Sequence, residues 1–126
     1  RDGFNVQIMT KEEMIAGLKT RLIDLEGQGY IERFNNLGST SKLDEFWMGA
    51  ANFFNNLNEV EKGTFFSIIR QVQIDSLASV LAFLDGIYWV EGQNEDLKLV
   101  CLDNPEEKLN EDLTDIFLNT VYKWDR

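Results

Sequence analysis

"FLDGIYWVEG", residues 83–92, decides how this chain is read. Before it, apolar residues recur at helical intervals. After it, the pattern turns short, aromatic and extended. Gly86 is the residue type that ends helices, because it enters the left-handed conformation at little cost. A carboxylate at Asp85 then sits at the negative end of the helix dipole and needs compensation, from a cation or from backbone amides. Ile87 to Val90 are β-branched or aromatic and favour a strand. "EGQNED", 91–96, has turn chemistry, and Leu97 to Leu102 reads as a second strand. The expectation is a β-hairpin over about 87–102, with alternation placing Tyr88 and Trp89 on opposite faces. A lone hairpin is marginal in water, so one face must pack on helices and one large aromatic is left outward.

The rest of the chain reads as helix. "TKEE", 10–13, is a capping box, and Met14, Ile15, Leu18, Leu22 and Leu25 follow with helical spacing. "GQG", 27–29, should break or kink that helix, which resumes through Tyr30, Ile31, Phe34 and Leu37. Ser41 is a candidate cap for a helix over 42–57 carrying Leu43, Phe46, Trp47, Ala50, Phe53, Phe54 and Leu57. This aromatic stripe is expected to be core, with a ligand groove as the alternative. Asn58 can cap a third helix, Asp75 or Ser76 a fourth, and Asn110 the last, which packs through Leu113, Ile116, Phe117, Thr120, Val121 and Trp124. The expected fold is therefore mainly α: a single domain over 1–126, about five helices, with the hairpin inserted before the C-terminal one. Residues 1–9 show no period and read as a leader or extension.

Composition narrows the function classes. The chain has 126 residues and formal charge −10, with no histidine. Ser-His-Asp and Cys-His catalysis are thereby removed, along with the commonest zinc ligand. Cys101 stands alone in "LKLVCL" and reads as a small apolar residue; a single cysteine and no signal pattern suit a reducing cytoplasm. No continuous apolar run reaches the length of a membrane span, so no membrane partner is expected. From Glu91 to Asp115 nine acids face two lysines, a formal −7. Nucleic acid is disfavoured by that sign. The natural complement is a protein with a basic surface, although acids also serve simply to solvate a face.

Adjacent carboxylate pairs point about 100° apart on a helix and share no site. Asp112 and Asp115 are i, i+3 and, with Asp85, are the residues a carboxylate-bound Mg²⁺ hydrolase would use. No second such pair is found, and neither a P-loop nor an EF-hand loop is present. No cofactor or metal is expected.

The stretch "LNEVEKGTFFSIIRQVQIDSLASVLAFLDG", 57–86, resembles small bacterial proteins of similar acidic build, some of them immunity proteins of toxin systems. The resemblance implies a non-enzymatic protein that masks a basic partner, and it carries over no catalytic residue. The expected binding residues are Tyr88, Trp89, Glu91, Glu95, Asp96, Glu106 and Glu107. A helical dimerisation or regulatory domain, built on the aromatic helix over 42–57, is the remaining alternative.

Overall fold

The computed structural model describes residues 8–37 and 44–123. Residues 1–7, Ser41, Leu43 and Trp124 lie outside the described residues. The chain divides into two compact units. One is Arg21–Gln73; the other joins the segment up to Thr20 with everything from Ile74 onward.

Helical structure runs without a break from residue 11 to 35: α1 (Lys11–Lys19), a π-helical stretch (Thr20–Leu25) and α2 (Glu26–Asn35). The Thr10/Glu13 capping box forms as expected, with both reciprocal bonds made. The "GQG" glycines do not break the helix. The irregularity falls one turn earlier, in the π-stretch, where the Leu22 carbonyl accepts from Gln73 Nε2 at 3.1 Å. A tertiary acceptor role of this kind offsets the wider helical turn.

In Arg21–Gln73 the core gathers around Phe34, with Leu37, Ala51 and Phe54 buried beside it and Trp47, Phe65, Phe66 and Ile69 packed on them. Ring centroids lie 4.8 Å from Phe34 to Phe65 and 5.3 Å from Phe34 to Phe54. α3 (Glu45–Asn55) starts at Asp44, whose Oδ1 accepts from the Trp47 amide at 2.9 Å. Only part of its aromatic stripe is core: Phe54 is 1% exposed, but Phe46 is 69% and Phe53 57% exposed. Phe46 and Phe53 are i, i+7 and share a face about 100° away from the one holding Trp47 and Phe54. Neighbouring helices cover only the latter.

α4 (Glu59–Leu84) is one helix of 26 residues, begun by a capping box between Asn58 and Glu61. Asp75 and Ser76 are exposed residues within it, not caps of a separate helix. As one element it is long and apolar enough, by length and composition, to cross a bilayer, a test that the core helix of a soluble protein also passes. α4 ends as the 83–92 stretch suggests. Gly86 takes φ +82°, the Ile87 amide donates to the Ala82 carbonyl and the Gly86 amide to that of Phe83, which is a Schellman motif.

The second unit closes with α5 (Leu113–Tyr122), which packs against α1. Its buried side chains are Ile15, Ile74, Leu77, Leu81, Leu109, Leu113 and Phe117. Lys11 Nζ reaches Asp112 Oδ1 at 2.9 Å, and this hydrogen bond raises the lysine above its ordinary value of 10.5. Its contribution is therefore complete below pH 10.5 and is lost as pH rises through the raised value.

The expected hairpin over 87–102 is not formed; the described residues contain no strand, only an isolated bridge between Cys101 and Asn104. The reason lies in competing hydrogen bonds. Leu99 donates its amide to Asn110 Oδ1 and accepts from the Leu109 amide, while the Leu97 carbonyl accepts from Asn110 Nδ2. On the other segment the Val90 amide donates to Gln93 Oε1, and Tyr88 reaches back to α4. Side chains, with the Leu109 amide, thus take the places a ladder would have filled.

Candidate functional site

The loop from Asp85 to Asp112 has no repetitive structure, yet its frame is pinned at each end. Asp85 answers the question its position poses. Its Oδ1 accepts from the amides of Glu111 (2.9 Å) and Leu113 (3.2 Å), and its Oδ2 from the amide and hydroxyl of Thr114, both at 2.8 Å. The carboxylate that ends α4 therefore caps α5, where the amide ends favour negative charge. Asp112, the residue at the capping position itself, makes no side-chain cap bond.

Asn110 is not the helix cap its spacing suggests. It is 3% exposed, and its amide donates to the carbonyls of Leu84 and Leu97 while its oxygen accepts from Leu99. One side chain ties the end of α4 to the middle of the loop. Gln93 does the same on a smaller scale, bonding the Val90 amide and the Glu95 carbonyl, each at 3.0 Å.

On this frame the expected binding residues are all exposed. Tyr88 and Trp89 are 43% and 49% exposed, so alternation does not put one in and one out. Each is held by its polar end: Tyr88 Oη donates to the Ser79 carbonyl at 2.7 Å and Trp89 Nε1 to Asp96 Oδ1 at 3.0 Å. Ile87, Val90 and Leu102 add exposed apolar surface. Glu91, Glu95, Glu106 and Glu107 are exposed. The structure joins Trp89 and Asp96 directly, whereas Tyr88 is tied to α4 through Ser79 and Phe83, and Glu106 and Glu107 follow the Cys101–Asn104 turn. Sequence reasoning missed Asn110 as the organiser, because Asn-Glu-Asp before an apolar run is an ordinary start signal for a helix.

Two of the three carboxylates a helical Mg²⁺ site would use are otherwise engaged, Asp85 by α5 amides and Asp112 by Lys11. No group of three or more metal-ligating side chains occurs among the described residues.

A second surface lies wholly within Arg21–Gln73. It is an apolar groove of about 360 Å³ bordered by Tyr30, Phe46, Trp47, Ile68 and Val72. Charge separates the two units: residues 21–73 hold five cations and seven acids, and the remainder seven cations and fifteen acids. The acidic character of the chain is therefore concentrated in the unit that carries the loop.

Comparison with protein-family models, curated proteins and solved structures finds no match for this chain.

Proposed function

We propose that this chain is a non-enzymatic binding protein, of bacterial immunity type, whose loop over 85–112 masks a basic surface on a protein partner. The carrying observation is the fixed frame. Asp85, Asn110 and Gln93 hold the backbone through side-chain bonds, while Tyr88, Trp89 and the acids stay exposed. A surface ordered before binding loses less entropy on association. Complementary charge steers encounter, and half-exposed aromatics at its centre provide anchors. Absence of histidine and the engagement of Asp85 and Asp112 favour binding over hydrolysis.

Charge reversal at Glu91 and Glu95 is expected to slow association with the basic product of a neighbouring gene by about tenfold at low salt. The difference should shrink as salt is added, since the screening length falls to about 10 Å at 0.1 M. Melting should be unchanged, as both residues are exposed in a turn region. Asp96 is left out of this variant because its carboxylate holds the Trp89 indole. Stopped-flow rates across a salt series provide the check, with Arg21→Glu as the control. Equal rates for wild type and variant at every salt concentration would reduce the acidic segment to a solvated face. Exposed Phe46 and Phe53 favour a second reading, self-association through α3, which sedimentation at rising concentration separates from the first.

A further inference from the structure

We propose that Trp89 and Asp96 form a receptor for an arginine side chain of the partner, the guanidinium lying flat on the indole and pairing with the carboxylate. This rests on the reading of the 85–112 loop as a surface for a basic protein. The geometry supplies both halves of the receptor. The indole N–H donates to Asp96 Oδ1 at 3.0 Å, which fixes a carboxylate at the edge of a ring that is 49% exposed. Oδ1 is used in that bond, and Oδ2 of this exposed residue is left to accept from an incoming donor. Asp96 is in turn seated against the Gly86 turn, 3.4 Å from where a Cβ on that glycine would lie, so ring and carboxylate are both referred to the end of α4. Tyr88, which precedes Trp89 in the chain, is anchored on Ser79.

The charge around this pair is the complement of a cation. Glu91 and Glu95 lie on the same loop, and Lys98 and Lys108 are the only cations between residues 91 and 115, the second of them paired with Glu111 at 3.6 Å. Among the described residues, the cations found stacked on rings are Arg33, 3.9 Å from the Trp47 centroid, and Lys62 on Phe54. The chain thus satisfies Trp47 internally with the same pairing that it leaves open at Trp89. Arginine is favoured over lysine because the guanidinium is planar, weakly hydrated and can stack while its edge donates to a carboxylate.

The test titrates the full chain with hexa-arginine and with hexa-lysine at low ionic strength, reading affinities by calorimetry in every variant and, in the wild type, the Trp89 indole N–H resonance as well. Both peptides should bind, hexa-arginine about threefold or more tightly, the ratio expected of one exposed cation–π contact. Trp89→Leu should bring the ratio to about one while hexa-lysine binding persists. Asp96→Asn keeps an oxygen for the indole and should also reduce the ratio, so the result does not depend on one variant folding. Equal affinities in the wild type, or a preference surviving in both variants, would overturn the arginine receptor and leave the acidic-surface reading standing. Failure of both peptides to bind would remove both readings.

Discussion

Asn110→Ala is expected to lower stability by about 3–4 kcal/mol. Three bonds are lost at once: those from Nδ2 to the Leu84 and Leu97 carbonyls and that from the Leu99 amide to Oδ1. Each such bond contributes about 1 kcal/mol net, and partly buried groups left without a partner add to the cost. Asn110→Asp discriminates between the two roles this residue has been given. Asparagine and aspartate are nearly equivalent helix caps, so a capping role predicts little change. In the arrangement found here, aspartate would turn an oxygen toward two carbonyls, and the loss should equal or exceed that of alanine. Urea midpoints for the two variants are the check. A silent Asn110→Asp would restore Asn110 to the helix start and leave the loop without its organiser.

The second large effect separates neighbours on α3. Phe54→Ala should cost about 3–5 kcal/mol, because its ring is 1% exposed among Phe34, Phe65 and Phe66 and leaves a cavity on removal. Phe53→Ala should cost less than about 1 kcal/mol, its ring being 57% exposed with one aromatic contact among the described residues, to Phe65. Denaturant midpoints of the pair decide it; equal losses would show that both sit in the core.

The difference between these rings marks what sequence can and cannot convey. Caps whose partners lie three residues away were legible: Thr10 with Glu13, Asn58 with Glu61, and the Gly86 stop. The aromatic stripe of α3 was legible as a stripe, but it is wider than the face its neighbours cover, and that width depends on packing across the unit. Asp75 and Ser76 looked like caps because short polar residues suit both a helix start and the solvent side of a long helix. The hairpin failed for a different reason. Residues 87–90 and 97–102 have strand propensity but form no strand, and the groups that bond them include the side chains of Gln93 and Asn110 and the Leu109 amide. A distance of 11 residues separates Leu99 from Asn110, and 26 separate Asp85 from the Glu111 amide. Local pattern has no access to such partners. The same reach explains why Asp85 could be singled out as needing compensation while its compensation, the first turn of α5, could not be named. Of the candidate site, Trp89 and Asp96 are brought together, Tyr88 is held separately on α4, and the remaining acids share exposure and charge without a shared geometry.

The most direct test of the binding surface is its location. Hexa-arginine added to the isotopically labelled full chain at low salt should shift backbone resonances within residues 86–107, centred on Trp89 and Asp96, and the shifts should fade at high salt as exposed charge is screened. Shifts confined to the Tyr30, Phe46, Ile68 and Val72 groove, or spread evenly over exposed acids of both units, would contradict the assignment of the 85–112 loop as the surface that meets the partner.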